Sequence, residues 1–414
     1  MSNLQNLRNQ QGEVNFRRKL AKQFAGQEVM YPGEPSYKQN LSIIRGRVKD
    51  YKRYFKSLIS HEMTLEPYLE IGSGIGQGAM FLEDQYKTQG FATDISYDTL
   101  LLANHYKDKL HFKKMPFRVC CDVYNLPFKT NSLPFIFTVE TLHHFPDPKP
   151  VLEEIYRVLA PGGYFYFNEE PVAQMINLNL WQRDRNLRWF EKILRSLLVL
   201  HFISKIGKSE IENNILEEAF SLKTWEKTLN VFDAVQATLK AFPYGPISVQ
   251  IKTPKKGWPQ YHPVRGWLNP PLYKNILLQI LGGGIEALCK KSEKEAKPPI
   301  QKNVVQSSAP HNITSENFYG ARQTPSESRG RTRGFFEGGE RLSEQKLFEL
   351  LACPNCKQKP GLNYHKSTKT LSCPICKTTY KSKNGIFMLF SREQMAKLYP
   401  EKVKGQKSKV KISS

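Results

Sequence analysis

Four cysteines and a run of glycines behind a carboxylate have spacings that could do chemistry. Cys353 and Cys356 form one Cys-x-x-Cys pair, Cys373 and Cys376 a second, and sixteen residues separate the pairs. Two such knuckles supply four thiolates to a closed tetrahedral zinc site. Four protein ligands leave no open position, so a zinc there would be structural. A redox role for either pair is the alternative reading. The second feature is Glu70-Ile71-Gly72-Ser73-Gly74-Ile75-Gly76, where a short apolar run breaks into alternating glycines. Glycines let a backbone approach a ligand, and a helix starting there offers free N–H groups.

The elements around these residues follow from the pattern. Residues 68–71, 90–95, 117–121, 133–139 and 164–168 read as five strands of an α/β domain. Residues 96–106 read as a helix capped by Ser96, and residues 151–159 as a helix with one apolar face, stopped by Pro161-Gly162-Gly163. Gly72 to Gly76, Asp94, Asp122 and Glu140 then fall at the carboxyl ends of successive strands, where open α/β sheets bind ligands. Gly74-Ile75-Gly76-Gln77-Gly78-Ala79 also satisfies the dinucleotide pattern G-x-G-x-x-A. Glu70 would sit badly beside a pyrophosphate, whereas a cofactor with a cationic amino group, such as S-adenosylmethionine, suits it.

These residues, with Cys121-Asp122-Val123-Tyr124-Asn125-Leu126-Pro127-Phe128, Leu142-His143-His144-Phe145 and Glu154 to Gly163, resemble the class I S-adenosylmethionine-dependent methyltransferases. Their quinone-biosynthesis branch is the nearest likeness. The resemblance implies a Rossmann-like doubly wound sheet with a helical insertion. It implies that Glu70 lies near the methionine amine, that Gly72, Ser73, Gly74 and Gly76 approach the cofactor, and that Glu140 contacts the cofactor at the methyl-transfer end. It implies that Asp94, with Ile95, takes the ribose hydroxyls, and that Asp122 with the Val123 backbone takes the adenine. His143 and His144 are candidate general bases at the methyl-transfer end, with packing roles as the alternative. Residues 347–354 and 385–388 around the cysteines resemble the small zinc-ribbon activator subunit of tRNA, rRNA and release-factor methyltransferases.

The remaining segments set the context. Residues 1–66 form a basic region whose stretch 45–59 reads as an amphipathic helix able to lie over the cofactor. The methyltransferase domain is expected over 67–290, with its substrate-side insertion at about 171–230. A late strand is expected at 232–241, and a buried helix end at 276–285. Trp181, Trp189 and Trp225 read as core or pocket residues. A disordered linker (291–341), the ribbon (342–392) and a basic tail (393–414) complete the chain. Asn269-Pro270-Pro271-Leu272 imitates an amino-methylating motif but stands outside the core, and Cys120-Cys121 reads as core.

The net charge of +23 is uneven. Residues 67–170 hold nine Lys and Arg against thirteen Asp and Glu, and residues 342–414 hold fifteen against four. Basic flanks around an acidic domain point to a polyanion, RNA or an anionic membrane. Apolar stretches are too short for a membrane span, and no apolar leader opens the chain, so a cytoplasmic setting is expected. Three function classes fit: a methyltransferase acting on a small molecule, lipid or glycan precursor; one acting on RNA or a translation factor; and a non-catalytic scaffold of the same fold.

Overall fold

The computed structural model describes residues 3–27, 37–59, 63–183, 187–212, 214–241, 245–252, 280, 282–293 and 342–400. The proline-rich stretch 269–272, most of the expected linker and the tail beyond 400 lie outside these residues. Five parallel strands form the centre of the sheet: β1 (Tyr68–Ile71), β2 (Gly90–Asp94), β3 (Phe117–Cys120), β4 (Leu133–Val139) and β5 (Leu159–Val172). They lie in the order β3-β2-β1-β4-β5. This order reverses direction next to β1, so the loops after β1 and β4 diverge and leave a crevice at the carboxyl edge.

Helices cover both faces, and the strands are buried on both sides, as parallel strands must be. On one face, α2 (Tyr37–Ile59) and α3 (Gln77–Gln85) pack over β1 and β4. The α2 ring of Phe55 lies 5.1 Å from Phe137 and 6.2 Å from Phe81. On the other face, α5 (Lys149–Val158) lays Val151, Leu152, Ile155 and Val158 into the core. The helix α4 (Tyr97–Lys109) starts at Ser96, whose hydroxyl accepts from the Thr99 N–H as expected. The long N-terminal helix α1 (Asn3–Gln27) packs on α4 through Val14.

Three local expectations are corrected. The stretch 283–285 is not a helix end but the start of a strand. Numbering on through the short elements β6 (Trp181–Arg183), α6 (Trp189–Ser196), α7 (Leu200–Ile203), β7 (Ser204–Ile206), α8 (Lys208–Glu212) and α9 (Leu222–Leu229), this strand follows β8 (Ala234–Ala241) and β9 (Gly245–Lys252) and is β10 (Gly283–Lys290). It runs antiparallel between β5 and β8, so β8 lies one strand further out and β9 forms the edge. Being buried from Ile285 to Cys289, it shows no alternation that would betray a strand. The Pro161-Gly162-Gly163 turn does not precede the fifth strand but lies within β5. Trp225 is fully buried in the core, but Trp189 is 76% exposed and belongs neither to the core nor to a pocket.

The cysteine-bearing module joins the same sheet. It contributes α10 (Glu344–Phe348), β11 (Asn363–His365), β12 (Thr370–Ser372), β13 (Thr379–Lys383), β14 (Ile386–Met388) and α11 (Arg392–Leu398), a helix that runs past residue 392. β14 pairs parallel with β3, Ile386 opposite Arg118 and Met388 opposite Cys120. Further backbone bonds run from Leu389 N–H to Cys120 O (2.9 Å), Ala352 N–H to Pro127 O (2.9 Å) and Lys129 N–H to Leu350 O (2.9 Å). The Phe348 ring sits 4.8 Å from that of Phe117. Lys359 reaches Glu154 of α5 at 2.5 Å. The module thus covers an otherwise bare sheet edge, which would be prone to pairing with other chains.

Candidate active site

A cavity of about 410 Å³ opens at the carboxyl ends of β1 to β5, within the size range of small-molecule sites. Gly72, Ser73, Gly74, Asp94, Ile95, Asp122, Val123, Glu140 and His144 line it. Glu70, Gly76 and His143 do not reach its wall.

The glycine turn has a physical requirement at two positions. Gly72 has φ +62°, and a Cβ there would come within 2.4 Å of the Thr141 side chain. Gly74 has φ +55°, and a Cβ there would meet nothing within 4 Å, because it faces the cavity. Glu70 stands behind the turn, buried, its carboxylate accepting from the Ala79 N–H of α3 at 2.9 Å. Burial pushes its carboxyl up to about 8. It therefore braces the turn rather than facing a ligand.

Asp94 accepts from the N–H groups of Gly74 (2.9 Å) and Ser96 (2.8 Å), which fixes its carboxylate across the glycine turn. Asp122 accepts from the Tyr124 N–H (3.0 Å), and its other oxygen accepts from the Gln394 amide of α11. Burial raises both carboxyls to about 6. Two buried lining atoms, Ser73 Oγ and Gln77 Oε1, have no hydrogen-bond partner within the described structure. Orphaned polar atoms around an open glycine cradle fit a polar ligand with hydroxyl and amino groups.

The loop after β4 is built by a residue that the sequence reading missed. Glu170 of β5 is fully buried and accepts from the N–H groups of Thr141 (2.8 Å), Leu142 (2.9 Å) and His143 (3.0 Å). It also bonds His143 Nδ1 at 2.9 Å. Burial would raise the Glu170 carboxyl, but His143 and these amides outweigh it and hold it low. Burial likewise opposes charge on His143, but Glu170 and then Glu217, 3.5 Å from Nε2, raise its pKa. The ring of His143 is thus clamped between two carboxylates that favour its protonated form.

His144 differs. It lines the cavity, and its Nδ1–H donates to Leu216 O at 2.9 Å, so Nε2 keeps its lone pair. Burial and the neighbouring His143 charge lower its pKa. The pair shows how adjacent groups are driven to opposite protonation states. Glu140 has φ +51° and pairs with Arg47 of α2 at 2.7 Å. Glu169, also left-handed at φ +58°, accepts from the Tyr54 hydroxyl at 2.8 Å. Left-handed carboxylate residues at one cavity mark strain of the kind that collects at functional sites. The roof comes from α1, which brings the half-buried Glu13–Arg17 pair (2.7 Å), and from α2, which brings Tyr51 and Tyr54. The only sequence signal for the roof was the amphipathic stretch now seen as α2.

The four cysteine sulfurs of the ribbon gather within 4.8 Å of one another. Cys353 and Cys376 Sγ lie 3.7 Å apart, and Cys356 and Cys373 Sγ 3.8 Å apart. A tetrahedron of bonds of about 2.3 Å has edges of about 3.8 Å, so the donor set fits zinc. No disulfide joins any two of the seven cysteines.

Fold and site together define a Rossmann-like methyltransferase architecture extended by a zinc-ribbon-like module. Residues 69–167 match the methyltransferase domain family, and residues 344–385 match the Trm112p-like protein family. The chain is 29% identical over 141 residues to phosphoethanolamine N-methyltransferase 2 of Caenorhabditis elegans, covering 33% of this chain and 28% of that protein. It is 30% identical over 101 residues to malonyl-[acyl-carrier protein] O-methyltransferase of Marinomonas sp., covering 24% and 36%. It is 26% identical over 173 residues to sterol 24-C-methyltransferase erg6 of Schizosaccharomyces pombe, covering 39% and 45%. The chain therefore spans less than half the length of these relatives. One chain thus carries both a region matching the methyltransferase domain family and a region matching the Trm112p-like protein family.

Proposed function

We propose that the chain transfers a methyl group from S-adenosylmethionine to a small organic or lipid acceptor. The observation that carries this reading is the roofed cavity, in which the cofactor-side carboxylates and the base-like His144 share one enclosed volume. Bound there, S-adenosylmethionine supplies an electrophilic methyl on a sulfonium. The chain's part is to hold and to align. The Gly72–Gly74 turn admits the ligand backbone, Asp94 accepts from ribose hydroxyls, and Asp122 with the Val123 backbone accepts from and donates to the adenine. Glu140, held by Arg47, attracts the amine. Glu70 keeps the turn in place from behind.

On the acceptor side, Tyr54, Phe145 and Leu216 give apolar walls and Glu169 a polar point. His144, neutral and with Nε2 unprotonated, takes the proton of an acceptor hydroxyl or amine. The four cysteines hold a structural zinc that shapes the ribbon. The likeness to the phosphoethanolamine and sterol methyltransferases supports this acceptor class. A second reading, an acceptor in the translation machinery, is favoured by the ribbon docked on the β3 edge.

Labelled methyl donor, incubated with the enzyme and separately with lipid extract, polar metabolite extract and total RNA, tests the reading. Label in an organic-soluble or small polar product supports it. Label only in RNA or protein, with transfer falling steeply with salt, replaces it by the second reading.

A further inference from the structure

We infer that the exposed apolar face of the insertion between β5 and β8 docks on an anionic lipid surface. Among the described residues, nine of the eleven large exposed apolar side chains lie between Met175 and Val199. Such a concentration marks an interaction surface. Trp189, Ile193 and Leu197 fall four residues apart along one side of α6 and its C-terminal cap and are 76%, 50% and 64% exposed. Leu178 and Leu180 add to the same segment, 66% and 65% exposed.

The face is built, not frayed. Leu178 and Leu180 N–H groups donate to Phe202 O and Ile203 O at 2.8 Å each, and β6 pairs with β7. The Glu191 carboxylate accepts from the Arg188 N–H at 2.7 Å and caps α6. These apolar groups are therefore exposed on folded backbone.

The charge around them selects the partner. Residues 181–208 contain seven Lys and Arg against two Asp and Glu. Arg188, Lys192 and Arg195 are exposed, while Glu191 is buried in the cap. A tryptophan and aliphatic row bordered by cations is the pattern of a helix lying in the plane of an anionic interface. A two-fold contact with a second copy would set these cations against themselves. RNA would leave the aliphatic row without a partner. No helix among the described residues is long and apolar enough to cross a membrane, so the contact is interfacial. The same insertion also places Ile215 and Leu216 in the cavity wall.

The test is sedimentation of the full, zinc-loaded chain with vesicles of phosphatidylcholine containing about one-third phosphatidylglycerol. The triple variant Trp189→Glu, Ile193→Glu, Leu197→Glu is expected to bind at least about tenfold more weakly. Ile375→Glu, at an exposed apolar site on the ribbon, is expected to bind as the parent does. Lys192→Glu with Arg195→Glu is expected to lose the preference for phosphatidylglycerol. Unchanged cofactor titration shows that each variant is folded. Vesicle binding kept in full by the triple variant overturns the inference, since the basic segments would then suffice. So does an absence of vesicle binding, or a concentration-dependent dimer that the triple variant abolishes.

Discussion

Paired histidines with opposite electrostatic fates give the site its sharpest residue-level character. Against burial, Glu170 and Glu217 raise the pKa of His143, while burial and the neighbouring His143 lower that of His144. His144→Ala is expected to lower kcat by about 10²- to 10⁴-fold with little change in cofactor affinity. The ascending limb of the kcat pH profile should lie below the ordinary imidazole value of 6.5, since the free base is the active form. Glu170→Ala instead leaves three loop N–H groups and His143 Nδ1 unpartnered. A loss of about 3–5 kcal/mol is expected in denaturant unfolding. Asp94 and Asp122, both raised to about 6, set a second pH dependence. Below that value they are protonated and neutral, and above it they are charged. A cationic cofactor prefers the charged form, so its affinity should rise as pH is increased through about 6. Titrations on either side of that value check the sign. The sequence disclosed Asp94 and Asp122 because strand ends are visible in apolar patterning. It did not disclose Glu170, whose role depends on β4 and β5 lying side by side. It placed Glu70 near the ligand, but the tight glycine turn turns its carboxylate toward α3.

At the scale of elements, the ribbon acts as an extra strand of the methyltransferase sheet. β14 pairs with β3, and Phe348 and Phe387 pack within the same core as Phe91 and Phe128. Burying each large apolar side chain is worth about 1.5–3 kcal/mol, so the docked ribbon shares its stability with the domain it covers. Removing zinc by chelation, or Cys373→Ser, is expected to lower the unfolding temperature of the whole chain by roughly 10 °C or more. It should also expose the β3 edge, seen as dye binding and aggregation. A second, separate transition for the ribbon alone, with the core unaffected, would contradict this sharing. The cysteine spacing made the ribbon legible, but its attachment to β3 was not, because sheet pairing between distant segments leaves no local mark. β10 was hidden for a related reason. Buried on both faces, it has an apolar run that a helix end would share.

At the scale of the whole molecule, two helices and an insertion convert an open crevice into a roofed cavity. The α2 stretch was legible as a basic amphipathic helix, whereas α1 carries a weakly patterned sequence and seats itself through scattered contacts such as Val14 and Arg18–Asp98. Trp225 sits at the junction of the core with the insertion, stacked 5.3 Å from Phe167. Trp225→Ala is expected to cost about 3–5 kcal/mol of stability. The measurement that most directly tests the account is calorimetric titration of the zinc-loaded chain with S-adenosylmethionine, beside the Asp94→Ala variant. The account predicts saturable one-to-one binding that the variant loses while remaining folded. Absence of binding in the folded parent, or equal binding by the variant, would contradict it.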